Sequence, residues 1–111
     1  MSFGKMNKPA EILEKQVMTD PEGFPNGYET LLAVTRVYRE GRHGSVRWAN
    51  LAAFSEATDL FRMRKIPYVT IKPGQIIVLG NDRFEILSVE DVKGRGMYLE
   101  LLAKKVVPVN G

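Results

Sequence analysis

From residue 58 to 65 the chain alternates, with Asp59, Phe61, Met63 and Lys65 on one side and Leu60, Arg62 and Arg64 on the other. Period two with Phe and Met turned inward is the pattern of a half-buried strand. Ile66-Pro67 ends it, because proline cannot donate to a ladder. Residues 68–72 read as a short extended piece, Pro73-Gly74 as a turn and residues 75–79 as the next strand. Gly80-Asn81-Asp82 is a hairpin turn of the kind that needs positive φ. Residues 83–89 return from it with Phe84, Ile86 and Ser88 on one face, and Gly94-Arg95-Gly96 makes another turn. In a last strand over 97–107, Met97, Leu99, Leu101 and Ala103 oppose Tyr98, Glu100, Leu102 and Lys104, and Pro108 closes it.

The first half is less regular. Residues 1–9 lack an apolar period and read as an N-terminal arm. Residues 10–19 place Ile12, Leu13, Val17 and Met18 among Glu11, Glu14, Lys15 and Gln16, which fits a helix about as well as a strand. Residues 20–27 hold Asp20, Pro21, Gly23, Pro25, Asn26 and Gly27, a turn cluster. Residues 28–39 are rich in β-formers and read as a long strand, with Leu32, Val34, Arg36 and Tyr38 on one face and Leu31, Ala33, Thr35 and Val37 on the other. Gly41 and Gly44 break it. Ser45 is a suitable N-cap for a short helix over 46–57, with Trp48, Leu51 and Phe54 on its apolar side. About six strands, one short helix and no βαβ rhythm argue a small barrel or sandwich. Closure also removes sheet edges. The expected fold is mainly β: a small antiparallel β-barrel of about six strands with one short helix and a long loop over 40–57.

Composition narrows the picture. The chain has 111 residues, enough for a single domain, and 44% are apolar. A core this small often gains further burial by self-association. The absence of cysteine excludes disulfides and thiolate metal sites, and a single histidine builds no His cluster. The net charge of +3 is mildly basic. No signal-peptide core or apolar run of membrane-spanning length is present, so a soluble product of the cytoplasm is expected.

Candidate chemistry is sparse. His43 lies near Ser45 but lacks an oriented base, and Glu90-Asp91 point to opposite faces if they end a strand. Gly94-Arg95-Gly96 lacks the Lys and Ser/Thr of a phosphate loop. No catalytic, cofactor or metal site is expected, and the chain does not read as an enzyme. The distinct charge feature is Arg36, Arg39, Arg42 and Arg47 with Tyr38 and Trp48 beside them. Such a cluster suits a solvated loop, a subunit interface or a DNA-facing surface.

Phe61-Arg62-Met63-Arg64, the Gly80 turn with Phe84 and Ile86 after it, and the Gly94-Arg95-Gly96 turn before a closing apolar strand together resemble the phage head-tail joining proteins. These are the head-closure or adaptor proteins of long-tailed bacteriophages. Met63 and Phe84 stand where the family more often has Ile and Tyr. The resemblance implies a small barrel that assembles in the virion as a ring, typically a dodecamer, below the portal-adaptor ring. It implies retention of packaged double-stranded DNA, weak contact with that DNA, and an attachment face for the tail-completion protein. The family's long loop corresponds to residues 40–57, which makes Arg39, Arg42, His43, Arg47 and Trp48 the channel-loop or interface candidates. A tail-completion or tail-terminator protein shares much of this appearance. A small nucleic-acid-binding barrel is the other alternative.

Overall fold

The computed structural model describes residues 6–19, 21–23, 25–41 and 56–106. Six strands close into a barrel in the order β1-β2-β3-β6-β5-β4. They are β1 (Lys8–Thr19), β2 (Pro25–Gly41), β3 (Asp59–Arg64), β4 (Ile76–Leu79), β5 (Asp82–Asp91) and β6 (Tyr98–Val106), and all neighbours are antiparallel. The mainly β barrel expected from alternation is the fold observed. Most of the expected loop and helix, with Arg42, His43, Arg47 and Trp48, lies outside the described residues. Of the helix expected over 46–57, only Glu56 and Ala57 are described, and they are not helical.

Tertiary pairing decides the segment that the sequence left open between helix and strand. Ala10 and Ile12 are buried at 3% and 0% exposure, at period two, and Ile12 sits opposite both Ala33 and Ile77. A strand between two partners satisfies the backbone on both sides, which outweighs a neutral propensity. β1 also takes in Lys8 and Pro9, placed in the arm by sequence reading, opposite Val37 and Arg36.

Two irregularities reset the alternation. In β2, Ile12 faces Ala33 while Leu13 faces Leu31, so Leu32 is an extra residue. Such a bulge changes which residues face the core. Leu32 packs against the core, whereas Leu31 is 52% exposed. In β5, Ile86 faces Ala103 and Ser88 faces Leu102, so Leu87 is extra and Ser88 turns to solvent. Met97, which the spacing groups with Leu99, Leu101 and Ala103 in the last strand, lies before β6 and is exposed.

The core fills the barrel with Ile12, Val37, Phe61, Met63, Ile77, Phe84, Ile86, Leu101 and Ala103, all at 0% exposure. The Phe61 and Phe84 rings meet edge to face, with centroids 4.9 Å apart and planes at 71°. Gly80 opens the two-residue loop between Leu79 and Asp82 with φ of 62°, at the first loop position where a type II′ hairpin favours glycine.

Candidate assembly surfaces

One end of the barrel is closed by charge. Arg39 follows inward-facing Val37 by two residues along β2, so it keeps the barrel-facing side one step beyond the core. Its Nε donates to Asp59 Oδ2 at 2.7 Å, and its guanidinium carbon lies 5.1 Å from the Phe84 ring centroid. Asp59 is buried and also accepts from Thr58 Oγ1 at 2.8 Å. The arrangement caps the aromatic pair with a cation that has both a carboxylate and a ring face to hold it. Of the five loop candidates, Arg39 is thus the one whose place is described, and it belongs to the barrel end.

The motif strand β3 divides by parity. Phe61 and Met63 are core residues, and Arg64 is exposed. Arg62 turns to the outer wall, where its register partners are Tyr38 and Glu100. Its Nε donates to Glu100 Oε2 at 2.9 Å, with a second guanidinium bond to the same oxygen. Both residues are only 8% exposed, although they face away from the barrel interior. Beside them on the same wall Leu60, at 1% exposure, clusters with Ala57, Leu87 and Leu102. β3 is therefore covered on both faces, where alternation alone indicated one. The signal was present in sequence as Leu60, an apolar residue on the nominally polar side.

The other end carries a projection. β1 pairs with β4 only over Glu11, Ile12 and Leu13, and β2 pairs with β3 only from Val37 onward. Beyond those limits, β1 residues 14–19 and β2 residues 25–31 have only each other as strand partners among the described residues. They form a two-stranded ribbon. Lys15 faces Glu29, Gln16 faces Tyr28 and Val17 faces Gly27, and the Tyr28 hydroxyl donates to Gln16 Oε1. Val17, Leu31 and Val34 are exposed at 73%, 52% and 67%, and all three lie on the outward face. Arg83 bonds Glu29, and Lys72 lies 3.6 Å from Glu14. At the root an open cleft of about 340 Å³ is lined by Glu14, Leu31, Leu32, Tyr68, Val69, Thr70 and Lys72. Tyr68 stands at its lip, fully exposed, with φ of 66° in a turn closed by the Val69 N–H to the Ile66 carbonyl. Sequence reading did not find the ribbon, because strand length alone does not reveal where a neighbour stops.

Nothing catalytic is assembled among the described residues. They contain no group of three or more His, Asp or Glu placed to hold a metal ion. Asp91 accepts the Gly96 N–H at 2.9 Å and ties the turn before β6, while Glu90 is exposed on the outer wall opposite Glu100. The exposed Glu56 carboxyl is held below its ordinary value of 4.5, chiefly by its hydrogen bond to Lys104, whose own value is raised above 10.5 by the same bond. Among the described residues no helix is long and apolar enough to cross a membrane.

Known proteins match this arrangement. A solved chain from the virion of a native gene transfer agent particle superposes with a TM-score of 0.62 at 22% identity, covering 92% of this chain and 96% of the other. The solution structure of protein SF1141 from Shigella flexneri 2a superposes with a TM-score of 0.69 at 13% identity, covering 95% and 96%. At those identities both show the fold. No curated protein sequence matches the chain. The family description "Phage head completion protein" matches residues 1–106, nearly the whole length, and the chain belongs to that family.

Proposed function

We propose that this chain closes the filled head and joins it to the tail, assembling as a ring, a dodecamer, below the portal-adaptor ring. A structural role in the virion follows from the family, whose members are virion proteins rather than enzymes. In the finer reading the ring retains packaged double-stranded DNA and presents a face to the tail-completion protein. The single observation that carries it is the family match over residues 1–106. The barrel supports it physically. A small core gains burial from contacts between copies, and a head-to-tail contact that closes makes a ring. A net charge of +3 tolerates DNA in a channel without gripping it, because few phosphate contacts give weak, salt-sensitive binding.

The test uses DNA-filled heads that carry portal and adaptor but lack this chain. Adding the purified protein is expected to stop DNA leakage and permit tail joining. Heads that keep their DNA and accept tails equally well without it would end this reading.

A further inference from the structure

We propose that the ribbon of β1 and β2 is the seam between copies: the free edge of β1 in one copy pairs with the free edge of β2 in the next. The inference rests on the connector reading above and names the surface through which its ring closes.

A barrel normally leaves no strand edge exposed. Here closure stops at Leu13 on β1 and begins at Val37 on β2, so among the described residues the ribbon keeps an edge on each side. Natural proteins blunt such edges with short strands, prolines or bulges; here those devices sit only at the ends of the ribbon, Pro25 at its tip and the Leu32 bulge at its root, and residues 14–18 pair with 26–30 without a register break. The two edges belong to different strands. A contact of one with the other is therefore heterologous, the kind that repeats around an axis. A rotation that carries one ribbon to the next keeps strand direction, so each β1 runs antiparallel to the neighbouring β2.

Side chains favour the same register. Within the ribbon Lys15 lies opposite Glu29 and Gln16 lies opposite Tyr28. In-register addition sets the next copy's Lys15 beside this Glu29, giving a row of alternating charge, although Arg83 already bonds that carboxylate. Opposite charges across a seam stabilise it, whereas like charges would oppose it. The partner that these edges fit is thus a second copy of this chain.

The natural sequence has no cysteine, which makes the test direct. Lys15→Cys and Glu29→Cys are made in separate chains, both at exposed positions, and their melting curves are matched to the parent. A short thiol-to-thiol cross-linker is added to each alone and to an equal mixture, at the highest soluble concentration. Opposed Cβ atoms in an antiparallel pair lie about 5 Å apart, so the mixture is expected to yield roughly tenfold more dimer than either variant alone. Equal yields in all three samples would overturn the seam. Chains that restore tail joining to heads but show equal yields keep the connector reading and lose this interface.

Discussion

Removing Arg62 should cost this barrel far more than removing an ordinary surface charge. Arg62 and Glu100 face each other across β3 and β6 on the outer wall, each 8% exposed. A solvent-exposed pair contributes on the order of 0–1 kcal/mol, but breaking a buried one costs about 3–5 kcal/mol, because the remaining charge keeps its desolvation penalty. Glu90, opposite Glu100 on the next strand, adds like-charge repulsion once the guanidinium is gone. At about 0.05–0.15 kcal/mol per residue, a chain of 111 residues has a total stability of about 6–17 kcal/mol. Arg62→Met would therefore take away a large fraction of it. With an unfolding entropy of about 2.1 cal/mol/K per residue, the loss corresponds to a melting temperature lower by about 13–21 °C. The double variant Arg62→Met with Glu100→Leu replaces both charges by apolar groups and should return to within about 1 kcal/mol of the parent. Urea unfolding of the parent, both single variants and the double variant gives the coupling directly. A single-variant loss below about 1 kcal/mol, or additive single losses in the double variant, would refute the claim that burial makes this pair costly to break.

Two further outcomes follow from local geometry. Tyr68→Gly should raise the melting temperature by about 2–5 °C in a thermal scan, since it relieves a left-handed strain of about 1–2 kcal/mol, partly offset by glycine's greater unfolded freedom. Lys104→Met should move the Glu56 carboxyl titration, followed by NMR, up toward its ordinary value of 4.5. Because the folded Glu56 value is depressed, its contribution is present above 4.5 and fades as pH falls through the folded value; because that of Lys104 is raised, its contribution is full below 10.5 and fades as pH rises through its folded value.

Period-two stretches were legible wherever one strand face alone decided the pattern. Phe61 and Met63 in β3, Phe84 and Ile86 in β5, and Leu99, Leu101 and Ala103 in β6 all face the core as their spacing indicates. The bulges were not legible, because a single inserted residue leaves composition unchanged while reversing parity, as Leu31 and Leu32 show. Arg62 was singled out as part of a motif, but its partner was not, since Glu100 lies 38 residues away and meets it only through the β3–β6 register. The Arg39 contact with Asp59 and Phe84 was hidden for the same reason: three separate strands bring those groups to one barrel end. Residue spacing reports what one strand does and is silent about which strand lies beside it.

The ribbon is the part of the molecule that the chain's own energetics do not explain. Ordering each backbone residue costs about 1–2 kcal/mol, and a lone two-stranded hairpin is marginal in water at best. Strands inside the barrel recover that cost through two neighbours and a buried face. In the ribbon Val17 and Leu31 stay exposed at 73% and 52%, and Val34 beyond its root at 67%, so they return little burial to the chain that carries them. Single exposed apolar residues are ordinary on any protein surface. Two on one face of a projecting ribbon and a third beyond its root, beside edges without a strand partner among the described residues, are what the proposed seam would cover. Under the proposed seam, the edges that have no strand partner among the described residues, which would favour aggregation in a free monomer, would be the means by which copies align.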